Sequence, residues 1–149
     1  MPKPKPLVTA ALICERVLNE KDGVISAVRI VDVATAPAPD PNLAPNIMQI
    51  MTLSMLVMVK AGDVRGEHQF SVKVRLPSGR IEDIDTWTFA FDNEASGANI
   101  IAGLHVPVIE EGLWWFDVLF DGEFLTSAPL KLARAARPES PAPDTRSGK

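Results

Sequence analysis

Residues 104–132, LHVPVIEEGLWWFDVLFDGEFLTSAPLKL, constrain the fold more than any other stretch. After Gly112, Trp114, Phe116 and Val118 recur at every second position, and Asp121-Gly122 interrupts the pattern. A period of two sends alternate side chains to opposite faces of a strand. An Asp-Gly pair supplies the positive φ that a tight hairpin turn needs. The stretch is therefore read as a β-hairpin that closes a sandwich of two sheets. Two registers are open. A two-residue turn at Asp121-Gly122 sets Val118 opposite Leu125 and Phe116 opposite Ser127. A three-residue loop at residues 120–122 sets Val118 opposite Phe124 and Phe116 opposite Thr126. The second collects more large apolar groups on one face and is the register expected here. It assigns Trp114, Phe116, Val118 and Phe124 to the core, with Ala128, Leu130 and Leu132 on the same side. A slip of one residue would exchange the faces.

The rest of the chain supplies partners for that hairpin. Residues 67–76, EHQFSVKVRL, alternate with Phe70, Val72, Val74 and Leu76 on one side and Ser71, Lys73 and Arg75 on the other. That pattern suits an antiparallel strand with one wet face. Residues 7–18 and 24–35 are rich in β-branched side chains and flank an Asp-Gly turn, so they form a second hairpin. A helix over residues 7–18 is the competing reading, because Ala10, Ala11 and Leu12 favour one. Residues 36–46, with four prolines, form an extended crossover between sheets. A docking site for a proline-recognising partner is its alternative reading. Residues 47–60 carry Met48, Met51, Met55 and Met58 and read as a buried strand with the methionines in the core. Their spacing of three and four leaves a helical Met stripe as the alternative. Residues 81–85 read as a short polar stretch, residues 86–92 and 98–108 as further strands. Pro107 and Pro129 remove ladder donors and belong at edges or bends.

Eight strand-like segments and no confident helix predict an all-β fold, an immunoglobulin-like antiparallel β-sandwich of about seven to eight strands. The domain spans residues 7–132. Residues 1–6 form a flexible arm and residues 133–149 a disordered tail. One cysteine, Cys14, rules out an intrachain disulfide. Leu12-Ile13-Cys14 loosely matches a lipobox, but Ile13 occupies a position that needs a small residue. The longest apolar stretch, residues 47–59, is too short to cross about 30 Å of hydrocarbon. The chain is read as cytoplasmic, with no membrane partner. A net charge of −4 and the lack of any basic stripe exclude nucleic acid as the main partner.

Three stretches, ALICERVLNEKDGVISAVRIVD, HQFSVKVRLPSGR and VPVIEEGLWWFDVLFDGEFLTSAPLKL, together resemble an uncharacterised bacterial β-sandwich family, a domain of unknown function. The resemblance covers about residues 7–132. Trp114 stands where such families often have Tyr. It implies the same fold and brings no catalytic residue with it.

No motif for chemistry is present. Zinc needs three or four ligands, usually with a close pair from one element, whereas His68, His105 and Cys14 are far apart. No GxSxG, phosphate loop or EF-hand spacing occurs. The densest acidic cluster, Glu82, Asp83 and Asp85 with Asp92 and Glu94 beyond, reads as a solvated loop. Cys14 reads as a small buried hydrophobe. Asp117 sits mid-strand among apolar neighbours, and reads as outward-facing. The chain is therefore expected to be no enzyme and to use no cofactor or metal. The expected contact face is Leu113, Trp115 and Leu119, which share the side of the closing hairpin opposite Trp114. Packing beneath the proline-rich crossover is the alternative for Trp115. The function expected is a non-enzymatic protein-interaction or structural module, with a protein or a second copy (a homodimer) as partner. The alternative is a small-ligand or carbohydrate-binding module using loops at one end of the sandwich.

Overall fold

The computed structural model describes residues 3–38, 42 and 48–135. These form two packed sheets and nine strands: β1 (Leu7–Asn19), β2 (Ile25–Ile30), β3 (Val33–Ala36), β4 (Ile50–Lys60), β5 (Gly66–Arg75), β6 (Ile81–Phe91), β7 (Gly97–Pro107), β8 (Gly112–Phe120) and β9 (Glu123–Arg134). The four-stranded sheet has the order β2-β1-β4-β7, and the five-stranded sheet β3-β9-β8-β5-β6. The fold is an all-β sandwich. Every pairing is antiparallel except β3 with β9.

The extra strand comes from a segment that reads as one. Residues 24–35 split where Arg29 adopts a left-handed φ of 55°. Beyond the break, the Asp32 carbonyl accepts from Lys131 N at 2.9 Å, so β3 joins β9 in the second sheet. The chain thus passes between sheets first at Val31–Val33, and it passes back between the end of β3 at Ala36 and the start of β4 at Ile50, the span in which the proline-rich crossover is expected. Of those prolines and the residues around them, 39–41 and 43–47 lie outside the described residues.

β6 also differs from expectation. It begins at Ile81, so the polar residues 81–85 belong to the strand. A register shift at Val72/Lys73 sets Lys73 opposite Asp83 and Val72 opposite Asp85. The bulge turns Ile84 toward the core and leaves its acidic neighbours in solvent.

The closing hairpin takes neither of the two registers considered. Asp121 (φ 49°) and Gly122 (φ 84°) make a two-residue turn, with Phe120 opposite Glu123. Positive φ at both centres is the type I′ signature, whose twist matches the flanking strands. A bulge between Val118 and Leu119 then shifts the ladder, so Val118 faces Thr126, Phe116 faces Ala128 and Trp114 faces Leu130. Leu125 packs against the core, and Phe124, expected there, is 54% exposed opposite Leu119. Phe120 is the buried residue instead.

Between the sheets, Trp114, Phe116, Val118, Phe70, Val72, Phe91, Met55, Ile100, Leu104 and Leu130 form one apolar layer. Each such side chain contributes about 1.5–3 kcal/mol on full burial. Trp114 keeps its indole N–H satisfied by donating to the Glu110 carbonyl at 2.9 Å. Gly112 has φ 125°, and a Cβ there would meet Pro77 at 3.2 Å, so only glycine starts β8 in this way. Of the methionines, Met55 is buried, Met51 and Met58 are half-buried and Met48 is exposed. At the termini, Pro6 is buried, Lys5 Nζ donates to the Phe124 carbonyl at 3.4 Å, and Ala135 N donates to the Ala36 carbonyl at 2.8 Å. β9 therefore runs past residue 132 to Arg134. Residues 136–149 lie outside the described residues.

Candidate functional site

Alternation along β8 sends Leu113, Trp115, Asp117 and Leu119 to the outer face of the five-stranded sheet. Leu113 is 42% exposed, and Trp115 and Leu119 are half-buried. The structure thus places all three expected contact residues on one face, but an ionic cluster divides them. Asp117 is 9% exposed and is the buried charged residue among those described. Arg75 on β5 donates to its carboxylate through Nε at 2.6 Å and Nη2 at 3.1 Å. Ser127 on β9 adds Oγ–H at 2.7 Å. Burial alone would push this carboxyl up. The bonds from Arg75 and Ser127, with the Arg75 charge, more than offset that and hold it below the ordinary carboxylate value. A buried charge needs such partners, and strand order provides them across 42 residues of sequence.

The same guanidinium lies 5.7 Å from the centre of the Trp115 ring, a cation–π placement. Cross-strand pairing extends this contact into a row: Pro129 on β9, Trp115 on β8, Arg75 on β5 and Ile81 on β6. Pro129 is exposed and Ile81 is 58% exposed. Phe124 and Leu119 form a second apolar pair on this face. Local sequence shows that Arg75 points outward. It shows neither the bidentate pair nor Ile81 and Phe124 as neighbours, because those depend on strand order and on two bulges.

The remaining candidate residues are dispersed. His68 Nδ1 lies 2.6 Å from Asp121 Oδ2, and its Nε2 lies 2.8 Å from the Arg65 carbonyl. Both neighbours are acceptors, so the ring satisfies both only as the doubly protonated imidazolium. The bond to Asp121 accordingly raises its pKa. His105 is exposed on β7. Glu82 pairs with Arg80, Asp83 with Lys73 at 3.6 Å, and Asp85 accepts from Thr86 N at 2.7 Å. Cys14 is buried, its thiol is pushed up by that burial, and it donates to the Arg16 carbonyl at 3.4 Å. Among the described residues no group of three or more His, Cys, Asp and Glu side chains could hold a metal ion. Among them, too, no helix is long and apolar enough to cross a membrane. A cleft of about 250 Å³ opens between β6 and β7, with Glu82, Asp83 and His105 at its rim over Trp114 and Phe116.

No family model and no curated protein sequence matches the chain. Among solved structures it is similar to Pseudomonas fluorescens alkylpurine DNA glycosylase AlkC bound to DNA containing an abasic site analog, at 10% identity and a TM-score of 0.49, covering 88% of this chain and 31% of that one. It is also similar to a Listeria innocua β-glucosidase in complex with isofagomine, at 12% identity and a TM-score of 0.49, covering 89% of this chain and 17% of that one. A third, Thermotoga neapolitana β-glucosidase 3B in complex with α-D-glucose, has 14% identity and a TM-score of 0.43, covering 58% and 15%. The chain thus spans less than a third of each of these proteins.

Proposed function

We propose that this chain is a cytoplasmic, non-enzymatic protein-interaction module on an immunoglobulin-like sandwich, and that it binds a protein through the outer face of its five-stranded sheet. The observation that carries this reading is the row Pro129–Trp115–Arg75–Ile81, in which an arginine is fixed before any partner arrives. Trp and Arg dominate the energetics of protein interfaces. A side chain already held in place loses little rotamer freedom on binding, so more of its contact energy appears as affinity. Asp117 holds Arg75 and is itself held by the Ser127 hydroxyl, and Arg75 covers one side of Trp115. The partner that fits is a protein surface offering a carboxylate or carbonyl to Arg75, flanked by apolar side chains for Trp115 and Ile81. Two packed sheets whose pairings are antiparallel except β3 with β9 support the immunoglobulin-like reading. A single, buried cysteine fits a reducing compartment.

The small-ligand reading has weaker support. The β6/β7 cleft, at about 250 Å³, falls short of the roughly 300–1,000 Å³ usual for ligand pockets, and the larger groove of about 490 Å³ beside Glu15, Arg16, Val28 and Met51 is a shallow depression open to solvent; both are lined by strand residues rather than by the loops at one end of the sandwich.

The test is affinity capture from a lysate of the source cell with quantitative mass spectrometry, comparing the natural chain with Trp115→Ala and Arg75→Ala. Specific proteins retained by the natural chain should fall at least tenfold with either variant (about 1.4 kcal/mol), with circular dichroism unchanged. If Trp115→Ala unfolds the domain, Trp115 is a core residue and the contact reading is lost.

A further inference from the structure

The sandwich has four strand edges, and three of them are blunted. An open edge presents unpaired N–H and C=O groups, and proteins protect it with short strands, charges, prolines or bulges. β3 is four residues long, and β2 is six residues long and carries Arg29 with its left-handed φ at one end. β6 carries Glu82, Asp83 and Asp85 and lies beside a register shift.

β7 has none of these devices along residues 97–106. It is eleven residues long, GANIIAGLHVP, contains no Lys, Arg, Asp or Glu, and pairs with β4 in unbroken register from Gly97 to Pro107. Its direction of hydrogen bonding is set by two contacts: Val108 N donates to the Gln49 carbonyl at 2.9 Å, and the Ser96 carbonyl accepts from Ala61 N at 2.8 Å. In an antiparallel ladder such residues alternate. Even-numbered residues of β7 therefore turn their N–H and C=O toward β4. Asn99, Ile101, Gly103 and His105 turn theirs toward the open edge, where no described strand pairs with them. The cleft between β6 and β7 leaves residues 103–107 of that edge accessible.

The strand is also complementary to itself. A two-fold axis through Ala102 would pair Asn99 with His105, Ile101 with Gly103, and Ile100 with Leu104 of a second, antiparallel copy. Ile101, 40% exposed on the outer face, would lie over the bare backbone of Gly103, where a Cβ meets nothing within 4 Å. Asn99 and His105 would meet as hydrogen-bonding side chains. Each residue pair with edge-facing groups would exchange two backbone hydrogen bonds. The acidic residues Glu82 and Asp83 lie beside the His105 end. The antiparallel arrangement puts the two copies' acidic stretches at opposite ends of the interface, so like charges stay apart.

We propose that β7 is a self-pairing edge: two copies of this chain join antiparallel through residues 99–105, and the four-stranded sheets merge into one sheet of β2-β1-β4-β7 and its two-fold mate. A strand added along β7 also roofs the β6/β7 cleft. The surface is separate from the Trp115 face, so the two readings fail independently.

Sedimentation velocity of the full chain at about 100 µM, a concentration that populates even a dimer of ten-micromolar affinity, reads the assembly directly. The expected species has twice the 16.2 kDa mass of the chain. Ile101→Lys, which puts a charge on the open edge, and Gly103→Pro, which deletes an edge-facing N–H and leaves the β4 ladder intact, should each return it to a monomer with unchanged circular dichroism. Trp115→Ala should leave the dimer in place. The register is read by Asn99→Cys/His105→Cys. These positions lie about 20 Å apart within one strand, so under mild oxidation they link only between copies, and an SDS-resistant, reductant-sensitive dimer is expected. Asn99→Cys/Gly103→Cys, out of register, should link far less. A natural chain that sediments as a monomer, or a dimer that survives both edge variants, overturns the proposal.

Discussion

The two faces of β8 follow different rules. Inward, Trp114, Phe116, Val118 and Phe120 are each at most 6% exposed and are held by apolar volume. Outward, Leu113, Trp115 and Leu119 remain partly in solvent, and the residue among them that is buried is a charged one, Asp117. Close-packed apolar side chains are non-directional, so the inner face tolerates any register that keeps its parity. The outer face depends on bonds with fixed geometry. Arg75, Asp117 and Ser127 must come from three adjacent strands in one register, and that register also builds the Trp115 row.

The inner face should give the largest effect when broken. Phe116→Ala removes a ring from the centre of the sandwich and should cost about 3–5 kcal/mol, read as a lower urea midpoint with an unchanged slope. A cost near zero would mean that the core is not organised around this strand. Asp117→Ala strikes the outer face. It removes the acceptor of both Arg75 and Ser127, leaving the Ser127 hydroxyl only the longer bond to the Phe116 carbonyl at 3.3 Å, and should cost about 1–3 kcal/mol. The same variant should loosen Arg75 from Trp115, so partner capture falls even where the fold survives.

Acid titration sharpens the difference, because only the outer face carries a titrating group on β8. The Asp117 carboxyl lies below its ordinary value in the folded chain. Its contribution is therefore fully present above about pH 4, the unfolded carboxylate value, and disappears as pH falls through the folded value. Thermal melts of the natural chain should lose stability across that range, and Asp117→Asn should flatten this part of the profile. An identical acid profile for both chains would show that the cluster adds no stability.

The smallest expected effect lies at the hairpin turn. His68 has a raised pKa, chiefly through its hydrogen bond to Asp121, and Lys3 is the opposing charge nearby. Its contribution is complete below about pH 6.5, the unfolded histidine value, and is lost as pH rises through the folded value. Between pH 6 and 9 the natural chain should lose a small increment of stability that His68→Asn does not show. Proton titration of the His68 ring by NMR would check the direction of the shift independently.

How much of this could be read in advance varies with the interaction. The alternation in β5 and β8 is local, and each residue's face follows from its neighbours two positions away. Phe70, Val72, Val74, Trp114, Phe116 and Val118 are legible as inward, and Trp115 with Leu113 and Leu119 as outward. A turn's φ values and a bulge are less legible, since a single extra residue, Leu125, restores parity that Asp121-Gly122 would otherwise break. For that reason Phe124 reads as core and lies in solvent.

The amino-acid sequence was sufficient to specify a two-sheet β fold, the inward face of its clearest strands, and the outward position of Trp115, because periodicity acts over two residues. Strand order acts over tens of residues and leaves no local mark. It brought Arg75 to Asp117, set Pro129 and Ile81 in line with Trp115, sent β3 into the second sheet, and left the uncharged edge of β7 with no described strand paired to it. Which strands meet is settled by how the whole apolar layer packs, and a side chain's partners become defined only when that layer closes.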